Sequence, residues 1–105
     1  MNTGINQWAF PADLSTEQAL DWAKKIGFDS FEMCVGDTGP VSLDASEREI
    51  TAIRRHAERL GVAVTSVGSG MGWKYPLSSP DPAVREQGLE AARKSLQIAQ
   101  WLGAD

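Results

Sequence analysis

The chain has 105 residues, a formal net charge of −4, 42% hydrophobic and 23% charged residues, and one cysteine. That is enough for one small globular domain, and the acidic balance speaks against a nucleic-acid or membrane-surface role, either of which would favour a basic patch. A lone cysteine cannot make an internal disulfide, and the start of the chain has no basic region followed by an apolar run, so a cytoplasmic protein without signal peptide or membrane span is expected.

The first predicted strand covers residues 3–8 (Thr-Gly-Ile-Asn-Gln-Trp) and ends before Pro11. Ser15 and Gln18 have the spacing of a capping box, and Leu14 and Ala19 that of a hydrophobic staple. Ala19, Leu20, Ala23 and Ile26 then form the apolar stripe of a helix closed by Gly27. Residues 30–35 (Ser-Phe-Glu-Met-Cys-Val) read as a second strand, followed by a loop rich in turn formers. Ser46 and Glu49 open a second helix with the stripe Ile50, Ile53, Ala57 and Leu60, closed by Gly61. Residues 62–67 are β-branched and short enough for a buried parallel strand. After the glycine-rich residues 68–79, Asp81 is held extended by the proline that follows it and can cap a helix whose first position is Pro82. The predicted stripe of that helix is Val84, Gly88, Ala91, Ala92, Leu96, Ala99 and Leu102, and Gly103 stops it. A mid-helix glycine costs about 1 kcal/mol against alanine, so Gly88 is expected to approach a sheet closely.

Gly27, Gly61 and Gly103 each follow an aliphatic residue and lie 34 and 42 residues apart. The repeating unit is one strand, one loop and one helix. Such units imply right-handed crossovers and a parallel sheet, an α/β fold. Three strands cannot close a barrel, which takes about 250 residues. Residues 1–105 are therefore expected to be the N-terminal part of a single barrel domain, its first three βα units, cut before a fourth strand. The alternative is a complete three-strand domain, which would leave one sheet face uncovered.

Alternation places Ser30, Glu32 and Cys34 on one face of the second strand and Phe31, Met33 and Val35 on the other. With the apolar set against the helices, Glu32 points into the barrel near the carboxyl end, where barrel active sites gather. Two readings stay open: a contact to substrate, or a structural acid bonded to a side chain of a neighbouring strand. Asn6 and Trp8 share a face of the first strand, and Val64, Ser66 and Gly68 one face of the third. Glycines 68, 70 and 72 allow a backbone to approach a ligand, but their spacing is neither a dinucleotide fingerprint nor a P-loop. Trp73 could stack on a sugar or anchor packing. Cys34 is read as a small core residue. His56, the single histidine, is expected in solvent on the second helix. No catalytic triad or metal-spaced cluster is present, and the residues alone name no reaction.

Leu77-Ser78-Ser79-Pro80-Asp81-Pro82-Ala83-Val84-Arg85 resembles the signature that opens the third helix in sugar and sugar-phosphate 3-epimerases and isomerases of the xylose-isomerase-like TIM-barrel family. Gly4-Ile5, Gly27-Phe28-Asp29 and Phe31-Glu32 are similar to that family's pattern as well. The likeness covers nearly the whole chain but three of eight βα units. It implies a longer parent enzyme in which a divalent metal, Mn²⁺ or Mg²⁺, polarises a ketose carbonyl while two glutamates exchange a proton at the adjacent carbon through an enediolate. It also implies that metal and catalytic carboxylates come from later strands, so that this chain has no catalytic residue, no metal and no activity by itself. The substrate-side positions it matches are Asn6, where many members carry tyrosine, Trp8, Glu32, Ser66 and Gly68; Trp73 joins the candidate substrate contacts from the residues alone, as a side chain that could cover the mouth of a pocket. The expected ligand is a small sugar or sugar phosphate, with no nucleic acid or membrane partner. The open sheet edge favours self-association, and a homo-oligomer is expected. The rivals are an endonuclease-IV-like repair enzyme on the same barrel, disfavoured by the acidic charge and the absence of a strand histidine, and a non-catalytic half-barrel that pairs with a partner.

Overall fold

The computed structural model describes residues 1–104. Its elements are β1 (Gly4–Asn6), a 3-10 turn (Gln7–Ala9), α1 (Thr16–Ile26), β2 (Ser30–Val35), α2 (Glu47–Leu60), β3 (Ala63–Ser69), α3 (Met71–Lys74) and α4 (Pro82–Leu102). The three strands form one parallel sheet in the order β1-β2-β3. This is the βα repeat that the glycine spacing predicts.

Local chemistry sets the helix ends. Ser15 and Gln18 make both halves of the capping box on α1. Ser46 accepts from the Glu49 amide at the start of α2, without the reciprocal bond that would complete a box. Asp81 is extended, accepts from the Ala83 amide, and is followed by Pro82 at the first turn of α4. Gly27, Gly61 and Gly103 end the three long helices in the left-handed region, with φ of 108°, 72° and 78°.

Leu20, Phe31, Met33, Ile50 and Ile98 are fully buried where the three long helices meet one face of the sheet. Three expectations are corrected here. In α4 the buried residues are Gly88, Ala91, Ile98 and Leu102, whereas Leu96 is 71% exposed and Ala92 is exposed too. The inward stripe therefore runs 84, 88, 91, 95, 98, 102, the alternation of four and three that keeps one face in register over 21 residues. Gly88 does make a close approach, but to a loop and not to the sheet: a Cβ there would lie 2.5 Å from the Tyr75 carbonyl oxygen. His56 is not free in solvent. It bridges α2 to α1, its Nε2 lying 2.7 Å from Asp21 Oδ1.

The strands differ from expectation at two points. β1 stops at Asn6, and Gln7 and Trp8 turn away in the 3-10 turn. Between Phe31 and Glu32 the pairing of β2 with β3 slips, so that Phe31 faces Val64 and Glu32 faces Ser66, leaving Thr65 as the extra residue. Val64 thus packs on the hydrophobic core, not on the face it was expected to share with Ser66 and Gly68. The bulge shifts the alternation in mid-strand, so that Val64 before it and Val67 after it both pack on the core while Ser66 and Gly68 pair with Glu32 and Cys34 on the other face.

Candidate functional site

The polar residues of the inner sheet face meet at the carboxyl end of β1 and half-way along β2 and β3. Asn6 closes β1, Glu32 lies opposite it in register on β2, and Ser66 lies opposite Glu32 on β3. Asn6 Nδ2 donates to Glu32 Oε1, and the Ser66 hydroxyl donates to Glu32 Oε2 at 2.7 Å. The carboxylate is therefore held from both sides, which answers the cost of placing it on a half-buried sheet face. Of the two readings of Glu32, the bonds to neighbouring strands are present. They leave a second lone pair on each oxygen.

Asn6 also caps the 3-10 turn, its Oδ1 accepting from the Trp8 amide at 2.7 Å and from the Cys34 thiol at 3.4 Å. Cys34 is buried against this cluster, and burial pushes its thiol up from the ordinary value, with nearby Glu32 acting in the same direction. Gly68 faces Cys34; a Cβ on it would make ordinary contacts with Cys34 Sγ at 3.4 Å and with Glu32 at 3.5 Å. The glycine keeps the approach to the carboxylate open on the β3 side.

The two tryptophans lie at the rim. Trp8 is 64% exposed and is not on the strand face with Asn6, because the 3-10 turn redirects it; its ring reaches across to Gly70, within 3.8 Å of where a Cβ there would lie. Trp73 is 94% exposed on α3, a single turn inside what the sequence suggests is a plain loop. Met71 is buried and anchors that turn, so Trp73 serves no packing role in this chain. Next to it Lys74 pairs with Asp37 from the loop after β2, which holds the Asp37 carboxyl below its usual range and the Lys74 ammonium above its own. Lys74 is the single basic residue in the three segments that follow the strands, residues 7–15, 36–46 and 70–81.

Sequence reasoning passed over Gln7. Its side chain is 5% exposed, donates to Thr16 Oγ1 and accepts from the Cys34 amide, both at 2.9 Å. It ties the turn after β1 to both α1 and β2, and so fixes the neighbouring Asn6 and Trp8. Between the segments after β1 and β2 lies a pocket of about 240 Å³, walled by Trp8, Phe10, Leu14, Cys34 and Pro40. The described residues contain no group of three or more His, Cys, Asp or Glu able to hold a metal ion. Glu32 is the single carboxylate of the cluster, and both its oxygens already accept hydrogen bonds. This donor set does not fit a divalent cation. No described helix is long and apolar enough to cross a membrane.

A family model described as a xylose isomerase-like TIM barrel matches residues 20–105. The chain is 40% identical over 102 residues to the L-ribulose-5-phosphate 3-epimerase UlaE of Escherichia coli strain SMS-3-5 / SECEC, covering 95% of this chain and 36% of that protein. The enzyme of the same name from Salmonella paratyphi B is 39% identical over the same shares. The chain thus spans little more than a third of the length of the curated relatives it matches. Among solved structures, a D-psicose 3-epimerase crystallised in the presence of D-fructose superposes with a TM-score of 0.77 at 24% identity, covering 99% of this chain and 35% of that one. A xylose isomerase domain containing protein of Salmonella typhimurium superposes with a TM-score of 0.66 at 22% identity, covering 98% and 34%. At these identities the two structures speak for the fold, three parallel strands and their helices corresponding to the first βα units of a barrel. With the family model matching residues 20–105, this chain belongs to the xylose isomerase-like TIM barrel family.

Proposed function

We propose that this chain forms the substrate-side wall of a ketose 3-epimerase, and that in the full-length protein the substrate is a ketose phosphate. The observation that carries the reading is the Asn6–Glu32–Ser66 cluster, a hydrogen-bonded polar patch on the inner face of strands whose other face is apolar. A barrel interior serving stability alone is filled by branched apolar side chains. The ribulose-5-phosphate 3-epimerases to which the chain is 39–40% identical support the reaction class. The phosphorylated substrate named for those relatives supports a ketose phosphate here; Lys74, the one basic residue within the segments that follow the strands, stands on the rim already paired with Asp37.

The chemistry follows from the position of the reacting centre. In a 2-ketose the carbon-3 hydrogen is adjacent to the carbonyl, so its removal leaves an enediolate, and return of a proton to the opposite face inverts the centre. The residues of this chain bind and orient the sugar in this proposal, and do not exchange the proton. A divalent metal such as Mn²⁺ or Mg²⁺ enters only as a group held outside this chain, and residues 1–105 by themselves are proposed to be inactive. Cytoplasmic location and a homo-oligomeric parent belong to the same reading.

The test is solvent exchange. The full-length gene product is incubated with L-ribulose 5-phosphate in D₂O and followed by NMR. Loss of the carbon-3 proton signal, with appearance of the carbon-3 epimer, is expected. Retention of that proton in every phosphorylated and free ketose tried would overturn the reading.

A further inference from the structure

The donors and acceptors of the Asn6–Glu32 pair can be assigned without ambiguity. The Trp8 backbone N–H lies 2.7 Å from one end of the Asn6 amide. A backbone N–H can only donate, so that end is the oxygen and the NH₂ group faces Glu32. As a carboxylate, Glu32 only accepts: Oε1 takes one Asn6 N–H and Oε2 takes the Ser66 hydroxyl. Asn6 therefore keeps one N–H without a partner among the described residues, and Glu32 keeps an acceptor site on each oxygen. The spare donor and the spare acceptors sit side by side, because Asn6 and Glu32 are direct partners across β1 and β2. Gly68 adds no side chain on the third side.

A single ligand group that satisfies both residues must accept one hydrogen bond and donate another. A hydroxyl does this. An ether oxygen, a phosphate oxygen and a methylene do not. We propose that Asn6 and Glu32 together read one hydroxyl of the bound ketose, which donates to Glu32 and accepts from the free Asn6 N–H. The identity of the polyol as a ketose rests on the epimerase reading above; the hydroxyl pattern rests on the hydrogen bonds alone. Ser66 and Cys34 are positioning residues in this arrangement. They occupy the remaining partners of Glu32 and Asn6 and so hold the pair in one orientation. Discrimination arises because a bound ligand displaces water: an analogue without the hydroxyl leaves the spare Asn6 N–H and one acceptor site of the Glu32 carboxylate unfilled at the same moment.

The experiment measures affinity by calorimetry on the full-length protein, with turnover of L-ribulose 5-phosphate followed in parallel. The ligands are that ketose phosphate and a series in which each hydroxyl in turn is replaced by hydrogen or by fluorine. At one carbon, both replacements are expected to weaken binding on the order of tenfold to a hundredfold, because fluorine cannot donate to Glu32. This pattern is read in the unmutated protein and needs no variant to fold. Glu32→Gln, whose melting curve reports its folding, is expected to lose most of the discrimination at that carbon and to keep it elsewhere. Turnover without any such carbon would overturn the hydroxyl reading and leave the epimerase reading in place. The pattern without turnover would do the reverse, and a protein that binds none of these ligands would overturn both.

Discussion

Gly88 is the residue at which two local rules compete. Alanine there would gain about 1 kcal/mol of helix propensity. Its Cβ would also stand 2.5 Å from the Tyr75 carbonyl oxygen and 2.9 Å from Leu77 Cδ2. The leucine tip can move aside, but the carbonyl belongs to the backbone, and overpacking of this kind costs about 1–3 kcal/mol. Gly88→Ala is therefore expected to lower the melting temperature despite the better helix former, and a rise would show that residues 75–77 relax freely. Cys34 gives a second prediction at this scale. Burial holds its proton to a higher pH than in the unfolded chain, where the thiol ionises at its ordinary value. The stability contributed by the neutral thiol is full below the ordinary thiol range and is lost as pH rises through the raised value. The urea midpoint should accordingly fall more steeply with alkaline pH in the parent than in Cys34→Ala. Parallel curves for the two proteins would remove that role from Cys34.

At the scale of elements, α4 separates two residues two positions apart. Ile98 is fully buried and Leu96 is 71% exposed. Ile98→Ala should cost about 2–5 kcal/mol, whereas Leu96→Lys should change stability by less than about 0.5 kcal/mol. Equilibrium denaturation of both variants checks the orientation of the helix, and reversed magnitudes would mean that α4 is rotated. The sequence misplaces this face because alanines at 92 and 99 fit either side of a helix, so counting apolar letters cannot choose between 96 and 98. Helix ends are legible for the opposite reason. A serine with a glutamine three residues on, or a glycine after an aliphatic, acts within one turn. Gln7 and the bulge at Thr65 are not legible. The partners of Gln7 lie 9 and 27 residues away, and Val64, Thr65 and Ser66 are as much at home in a regular strand as in a bulged one. The inward placement of Glu32 is readable from alternation; that of Ser66 is not, because the bulge at Thr65 breaks the alternation that would seat it with Val64, and the direction of Trp8 is not, because the 3-10 turn ends the alternation just before it.

At the scale of the whole molecule, β1 and β3 are both edge strands of a three-stranded parallel sheet. Trp22 and Ile26 on α1 and Leu89 and Leu96 on α4 expose apolar surface at the two flanks. Parallel sheets are ordinarily covered on both faces and closed or blunted at their edges. Residues 1–105 expressed by themselves are therefore expected to associate, and sedimentation velocity should give species heavier than 11.4 kDa. A stable monomer with a sharp thermal transition would show instead that the three units satisfy their own surfaces.

The contact between Gly88 and Tyr75 bears on how such a protein could be recombined. Segments that follow barrel strands are natural cassettes for exchange, since the scaffold beneath them changes little. The segment after β3 is not a free cassette. Its backbone rests in a notch on α4 that exists because residue 88 has no side chain, and Lys74 within it is bonded to the segment after β2. A graft taken from a relative would have to carry the notch residue and the Asp37 partner with it, so the inheritable module is a loop, a helix face and one distant aspartate together.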